Sequence, residues 1–121
     1  MRVLITGLGS IGRRHIRNIK SIDPEAQIVV WRRAIGPAIP EDAALSVDKT
    51  VTSLEEALAT KPDVAFITNP ASMHVETGLK LASHDISMMI EKPLSNSMTG
   101  VDTLLELCEQ RRLVLMVGYN L

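Results

Sequence analysis

Short apolar runs alternate with amphipathic segments of helical periodicity along the whole chain. Each run is nearly continuous in hydrophobicity, which is typical of strands covered on both faces. Because neighbouring parallel strands need helical crossovers, this alternation predicts an α/β fold: a doubly wound parallel sheet of about six strands with helices on both faces. The apolar runs span residues 3–5, 28–31, 64–67, 86–90 and 113–117, with a weaker run at 50–52.

Composition limits the kind of protein this can be. The 121 residues are 45% hydrophobic and 22% charged, which suits one globular domain. The net charge of −1 does not favour a nucleic-acid partner, and apolar runs this short predict no membrane contact. The single cysteine, Cys108, cannot form an internal disulfide and predicts a cytoplasmic location. We predict no metal site.

Two helix starts are visible in the sequence. Ser53-Leu-Glu-Glu56 matches a capping box, in which a hydroxyl and a backbone N–H three residues later bond to each other. Ser97 is a candidate N-cap for the last helix. Both positions therefore predict where a crossover helix begins.

A glycine-rich segment follows the first apolar run and opens the first helical segment. Its G-x-G-x-x-G spacing, between a strand and a helix, is typical of loops that bind the pyrophosphate of a dinucleotide. Gly7 permits a tight turn, Gly9 lets the pyrophosphate approach the backbone, and Gly12 lets helix and strand pack closely. The alternative is a strand-to-helix turn that binds no ligand. The predicted cofactor-binding residues here are Gly7, Leu8, Gly9, Ser10, Ile11 and Gly12.

The end of the second predicted strand bears on the choice of cofactor. NAD-selective domains usually carry an acidic residue about 20 residues after the glycines, where it binds the ribose 2′-hydroxyl. Here that position is Arg32, followed by Arg33, and no carboxylate occurs before Glu41. A guanidinium pairs with the 2′-phosphate of NADP, and Trp31 or Arg32 can stack on the adenine. We predict NADP as the preferred cofactor and NAD as the alternative; the competing interpretation is that both arginines begin an exposed loop.

The first helical segment carries further basic residues and a histidine. Arg13 and Arg14 invite a phosphate-binding role, but residues on the outer face of such a helix are usually solvated, and we interpret both in that way. His15 shares the inward face with Ile16. We interpret it as a packed histidine rather than a catalytic one.

Three further segments complete a pattern that extends over essentially the whole chain. They read PDVAFITNPASMHV at 62–75, IEKPL at 90–94 and LVLMVGYNL at 113–121. With the glycine loop, and in this order, they resemble the N-terminal domain of the Gfo/Idh/MocA oxidoreductases, a family named for glucose–fructose oxidoreductase and inositol dehydrogenase. The resemblance implies a Rossmann-type NAD(P)-binding domain over residues 1–121.

The resemblance assigns a role to the loop after the fourth strand. In the family this loop flanks the pyrophosphate and the nicotinamide ribose of the cofactor. Here it contains Thr68, Asn69 and Pro70, with His74 in the next helical turn, and all four are implied cofactor contacts. Asn69 stands where many members have proline or threonine. For His74 the alternative is a solvent-facing histidine.

The resemblance also implies a catalytic residue. The lysine of the family's Glu-Lys-Pro motif lies beside the nicotinamide and contacts the reacting hydroxyl, which corresponds to Lys92. Its neighbours Glu91 and Pro93, and Asn120 further on, are implied cofactor contacts. The sequence pattern supports the same location for the site. All these segments follow predicted strands, and ligands of open α/β sheets bind at the carboxyl ends of the strands. The alternative for Glu91 and Lys92 is an ordinary surface pair.

These assignments imply an oxidoreductase that transfers hydride to or from a secondary carbinol of a sugar, cyclitol or related small molecule. Family members continue into a second domain that supplies most substrate contacts and the oligomer interface. We expect that domain to be absent from this chain, the isolated chain to be inactive, and the full-length protein to be a homo-oligomer. The alternatives are a non-catalytic dinucleotide sensor or regulatory module, which does not need Lys92, and a methyltransferase, which the later motifs oppose.

Overall fold

The computed structural model describes residues 1–33, 46–95 and 97–118. Within these ranges the chain forms six strands, four α-helices and one short 3₁₀ turn. In chain order they are β1 (Arg2–Thr6), α1 (Ser10–Ile22), β2 (Gln27–Trp31), β3 (Lys49–Val51), α2 (Leu54–Ala59), β4 (Val64–Ile67), the 3₁₀ turn (Ala71–Met73), α3 (His74–Ser83), β5 (Ser87–Ile90), α4 (Val101–Gln110) and β6 (Leu115–Val117). All six predicted strands are confirmed, with ends that agree within two residues.

The strands form one parallel sheet in the order β3-β2-β1-β4-β5-β6. The chain builds outward from β1 to β3 and then returns to the other side of β1, so the topology reverses between β1 and β4. Ligands of open α/β sheets bind outside the carboxyl ends of the strands at such a reversal. Thr6 pairs with Trp31 on one side and with Ile67 on the other, so the residues after these three strands share one edge.

The larger core cluster lies between the sheet and helices α2, α3 and α4. It is aliphatic, with Ile67, Ile90, Leu81 and Leu104 fully buried. Gly78 of α3 allows α4 to approach closely, since a Cβ there would lie 3.0 Å from a Leu104 methyl group. This packing places the start of α3 directly behind the loop that follows β4.

The opposite face carries α1 alone among the described helices. Its cluster of buried residues is small and consists of Val3, Ile5, Ile16, Ile28 and Val30. Beyond α1, Phe66 and Met89 line an open apolar groove of about 500 Å³ with Met116, which is 60% exposed. Helices on both faces are therefore confirmed, but in the described part of the chain the cover over β4 and β5 is complete on one face only.

The two predicted helix starts have different outcomes. Ser53 Oγ accepts a hydrogen bond from the Glu56 backbone N–H at 3.1 Å, which confirms the capping box. The prediction for Ser97 is wrong, because α4 begins at Val101 and Gly100, with φ of +79°, precedes it. Gly100 precedes the helix in a left-handed conformation and provides no side-chain cap. The presence of a serine nearby in the sequence does not reveal such a backbone conformation.

Candidate functional site

The glycine loop is closed by contacts that leave no room for side chains at its two ends. Gly7 has φ of +95°, in the left-handed region, and its N–H donates to the Trp31 carbonyl oxygen at 2.8 Å. A Cβ on Gly7 would lie 3.0 Å from the Asn69 Cα, and a Cβ on Gly12 would collide with the Gly7 carbonyl oxygen. Glycine is needed at both positions for the loop to sit between β2, β4 and α1.

Gly9, in the middle of the loop, has the opposite surroundings. It is the N-cap of α1, it supplies no side-chain cap, and the first turn of the helix contains no acidic residue. A Cβ on Gly9 would meet no atom of the described residues within 4 Å. Free N–H groups and the helix dipole at such an N-terminus attract an anion, and Gly9 leaves the approach open.

Thr68 holds the glycine loop against the end of β4. Its hydroxyl lies 2.9 Å from the Gly7 carbonyl oxygen and 3.0 Å from the Thr6 carbonyl oxygen, and its backbone N–H donates to Thr6 at 3.1 Å. The same hydroxyl lies 3.1 Å from the position of a Cβ on Gly12. Thr68 is thus at the predicted site, with its polar atoms engaged in bracing the loop.

The predicted residues on either side of the reversal line a common cavity. It has a volume of about 120 Å³ and lies between Trp31, Arg32 and Arg33 on one side and Asn69 and Pro70 on the other. Two buried atoms of these residues, Trp31 Nε1 and Asn69 Oδ1, have no hydrogen-bond partner among the described residues. Buried polar groups are nearly always paired, so this donor and acceptor are candidates for hydrogen bonds to a bound molecule.

Sequence reasoning missed Met73 as a member of this cavity. Met73 lines the wall opposite β2, and Arg33 Nη2 lies 2.8 Å from its sulfur. A methionine in the 3₁₀ turn after β4 has no pattern that distinguishes it from a core residue.

The predicted catalytic residue lies at the same edge of the sheet. Lys92 is exposed, and it has no hydrogen bond or ion pair with any residue in the described ranges. The Glu91 backbone N–H donates to the Ile67 carbonyl oxygen at 3.0 Å, which fixes the start of the turn beside β4. The Lys92–Pro93 peptide bond is cis. The Lys92 ammonium, which has no partner among the described residues, therefore extends from a turn whose backbone is held by the hydrogen bond from Glu91 to Ile67.

His74 connects the loops that follow β4 and β5. It is 2% exposed, so the alternative of a solvent-facing histidine is wrong. Its Nδ1 lies 2.9 Å from the Pro93 carbonyl oxygen and its Nε2 lies 2.7 Å from the Asn69 carbonyl oxygen. The direct cofactor contact stays a prediction, since both nitrogens face the protein.

His15 makes a contact with the other side of the same turn. Its Nε2 donates to Glu91 Oε1 at 2.5 Å, and its ring packs on Phe66. The interpretation of His15 as a packed histidine is confirmed. Its bond to Glu91 was not foreseen, because periodicity shows which face a residue occupies but not its partner 76 positions away.

Three further residues were singled out in the sequence. Arg14 is exposed on α1, and Asn120 lies outside the described residues. Cys108 is buried, and burial raises the pKa of its thiol, which keeps it in the unreactive protonated form.

Two further searches concern membranes and metals. Over residues 1–33, 46–95 and 97–118, none of the helices has the length and hydrophobicity to cross a membrane. The same part of the chain contains no cluster of histidine, cysteine, aspartate and glutamate suited to a metal ion.

A parallel sheet in this strand order, with a glycine loop entering a helix at the reversal, defines a dinucleotide-binding domain of the Rossmann type. The chain belongs to the GFO_IDH_MocA oxidoreductase family with an NAD-binding Rossmann fold, which it matches over residues 1–119.

Similar proteins include dehydrogenases of several substrates. The chain is 27% identical to 4-carboxy-2-hydroxymuconate-6-semialdehyde dehydrogenase from Sphingobium sp. (strain NBRC 103272 / SYK-6), over 99% of this chain and 38% of that protein. It is 26% identical to myo-inositol 2-dehydrogenase from Thermotoga maritima, over 99% of this chain and 36% of that protein. The structure of UDP-N-acetylglucosamine 3-dehydrogenase GnnA from Acidithiobacillus ferrooxidans superposes with a TM-score of 0.81 at 27% identity, over 98% and 36% of the two chains. The chain thus spans little more than a third of each relative.

Proposed function

We propose that this chain is the cofactor-binding part of an enzyme that transfers hydride between a nicotinamide dinucleotide and a secondary carbinol of a sugar, cyclitol or related compound. The observation that carries the proposal is the position of Lys92, exposed at the carboxyl end of β5 on the same sheet edge as the open space at Gly9. The relatives named for myo-inositol and UDP-N-acetylglucosamine support the substrate class.

The residues of this edge fit a dinucleotide. The start of α1 at Gly9 suits the pyrophosphate, because no side chain of the described residues caps it and a Cβ on Gly9 would have none of their atoms within 4 Å. The cavity between Trp31 and Asn69 suits the adenosine half, since it has an apolar wall and is lined by two residues with a buried polar atom that has no partner in the described part of the chain. Lys92 would then lie beside the nicotinamide half of the cofactor.

NADP is the cofactor we propose, with NAD as the alternative. Arg32 and Arg33 follow β2 where an NAD-selective domain carries a carboxylate, and a guanidinium favours the 2′-phosphate of NADP. Arg33 also borders the neighbouring cavity, where the carboxylates of Glu55 and Glu76 balance the positive charges of Arg33 and Lys80. Arg32 is the better candidate, because it borders the adenosine cavity and not this second one.

Lys92 is the residue we propose as catalytic. The bound nicotinamide supplies or accepts the hydride. The Lys92 ammonium donates a hydrogen bond to the oxygen of the reacting carbinol and stabilises the negative charge that develops on it. This role needs an ammonium without a competing partner, and Lys92 has none among the described residues.

We further propose that the substrate contacts and a homo-oligomer interface come from polypeptide outside these 121 residues. The relatives support this, since each is more than twice as long as the part matched here. The chain by itself then binds dinucleotide without turning over substrate. The single cysteine agrees with a cytoplasmic location.

The test is a titration of the chain with NADP and with NAD, followed by the fluorescence of Trp31 and checked by calorimetry. We expect tighter binding of NADP. Arg32→Ala should weaken NADP binding about tenfold, the loss of one charge-assisted hydrogen bond, and leave NAD almost unchanged. Arg17→Ala, which removes an exposed charge of the same sign from α1, is the matched control.

The possible results separate the two parts of the proposal. Tighter binding of NAD would keep the cofactor site and overturn the argument from Arg32. Binding of neither dinucleotide would overturn the proposal that this chain contains a working cofactor site.

A further inference from the structure

A histidine of the glycine-loop helix and a glutamate of the Glu-Lys-Pro turn form a close, largely buried pair. His15 Nε2 lies 2.5 Å from Glu91 Oε1, and the two side chains are 18% and 16% exposed. They are 76 positions apart in sequence. The pair therefore joins the first turns of α1 to the end of β5, across the width of the site.

The elements on either side restrict both partners. The His15 ring lies against Phe66 of β4, with ring centroids 5.1 Å apart and an interplanar angle of 52°. On the far side, Gly118 follows β6, and a Cβ there would lie 3.3 Å from Glu91 Oε1. The Gly118 N–H donates to the Ile90 carbonyl oxygen at 2.8 Å, which fixes that backbone. The Glu91 carboxylate is thus enclosed between a histidine and a glycine backbone.

This enclosure changes what Glu91 can do. A carboxylate held by His15 and packed against Gly118 is engaged inside the protein, so its effect on the reaction passes through the backbone to the next residue. That residue is Lys92, whose side chain is exposed. On the other side of Lys92, the Pro93 carbonyl oxygen is held by His74.

We infer that His15 is a positioning residue for Lys92. By holding Glu91, it sets the direction in which the turn presents the lysine, while the same helix presents its N-terminus to the pyrophosphate. The inference rests on the proposed function, because the position of Lys92 matters for the reaction only if Lys92 is the catalytic residue. The coupling of His15 to Lys92 is a separate physical statement that needs no cofactor.

The first test measures that coupling on the chain without ligand. The lysines are converted to ¹³C-dimethyl-lysine, and Lys92 is assigned by its loss in Lys92→Arg. In His15→Leu, which keeps an apolar contact with Phe66 and removes the donor, we expect the Lys92 methyl resonance to move from its wild-type position. In His15→Gln, which retains a donor, we expect it to return towards that position. The internal controls are Lys20, Lys49, Lys61 and Lys80.

The outcomes decide between positioning and simple packing. An unmoved Lys92 resonance in a folded His15→Leu protein would overturn the inference, even if stability falls. Equal displacement of all five lysines would do the same, because it indicates a general loosening. If His15→Leu does not fold, His15→Asn takes its place, since its amide is too short to reach Glu91, and the same criteria apply.

The second test uses the full-length protein with NADP and inositols. His15→Leu should lower kcat by up to about 100-fold, the effect of a misplaced catalytic group, with KM for NADP nearly unchanged and rescue by His15→Gln. A rise in KM for NADP with kcat unchanged would overturn the inference in favour of a role in the glycine loop. Failure of every variant and of the wild type to bind either NADP or NAD counts against the proposed function, while the resonance of Lys92 still tests the coupling.

Discussion

The glycine loop and the Glu91–Pro93 turn lie at the same edge of the sheet but are held in place by different kinds of contact. The loop is held through its backbone, by the N–H of Gly7 on Trp31 and by the close approach of Gly12 to the Gly7 carbonyl oxygen. The turn starts with one backbone hydrogen bond, from Glu91 to Ile67, and is otherwise held by side chains from other elements, His15 on one side and His74 on the other.

The difference explains how each segment is recognised. A loop that works through its backbone must have glycine at fixed intervals, so the constraint is visible as spacing. A turn held by side chains from α1 and α3 depends on residues far away in the sequence. Its function could be predicted only from the resemblance of the Glu-Lys-Pro segment to a family, not from any local pattern.

The largest expected effect separates chemistry from binding. Under the proposed function, Lys92→Met in the full-length protein should lower kcat for oxidation of a carbinol substrate by about 10²- to 10⁴-fold, because the oxygen of the carbinol loses its proposed donor. The affinity for NADP, measured by Trp31 fluorescence, should change little. An equal loss of affinity and of kcat would show that Lys92 serves the cofactor rather than the reaction.

The second prediction compares two glycines of one loop. Gly12→Ala should lower the free energy of unfolding by about 2–3 kcal/mol, because the new Cβ meets a backbone oxygen that cannot move aside. Gly9→Ala should cost less than about 1 kcal/mol, since its Cβ meets nothing, but it should weaken NADP binding about tenfold or more. Urea unfolding and calorimetry measure the two quantities. Similar stability losses in both variants would contradict this division.

The third prediction concerns the histidine that braces the turn from α3. His74→Leu should lower the free energy of unfolding by about 1–3 kcal/mol, because it removes the partly buried hydrogen bonds from His74 to the carbonyl oxygens of Asn69 and Pro93. The control is His84→Leu, at an exposed position, which should stay within about 0.5 kcal/mol of the wild type. Both are measured by urea unfolding, and equal values would remove the argument that His74 holds the two loops.

The smallest effect concerns the hydrogen bond between the Thr68 hydroxyl and the glycine loop. Thr68→Val keeps the shape of the side chain and removes the hydroxyl that contacts Gly7, so the expected loss is about 0.5–1.5 kcal/mol in urea unfolding. Thr103→Val, on the exposed face of α4, is the control and should be close to neutral. A loss as large as that of Gly12→Ala would mean that side chains, and not the backbone, hold the loop.

Sequence patterns were most informative where the physical cause is local. The capping box at Ser53 and Glu56 is confirmed because a hydroxyl and an N–H three residues apart need nothing else to meet. The N-cap at Ser97 is wrong because Gly100, in a left-handed conformation, starts the helix instead. The expectation of strands covered on both faces fails for β4 and β5 within the described chain. A hydrophobic run shows that a strand is apolar, but it does not show which helices pack on each of its faces.

The sequence by itself determined the order of strands and helices, the place of the glycine loop and, through the family resemblance, the segment that carries Lys92. Those features follow from hydrophobic periodicity, from glycine spacing and from an ordered set of motifs. The tertiary structure decided which side chains meet: His15 with Glu91, His74 with Pro93 and Asn69, and Met73 with Arg33. The physical reason is that these contacts depend on how the carboxyl ends of separate strands are brought to one edge of the sheet.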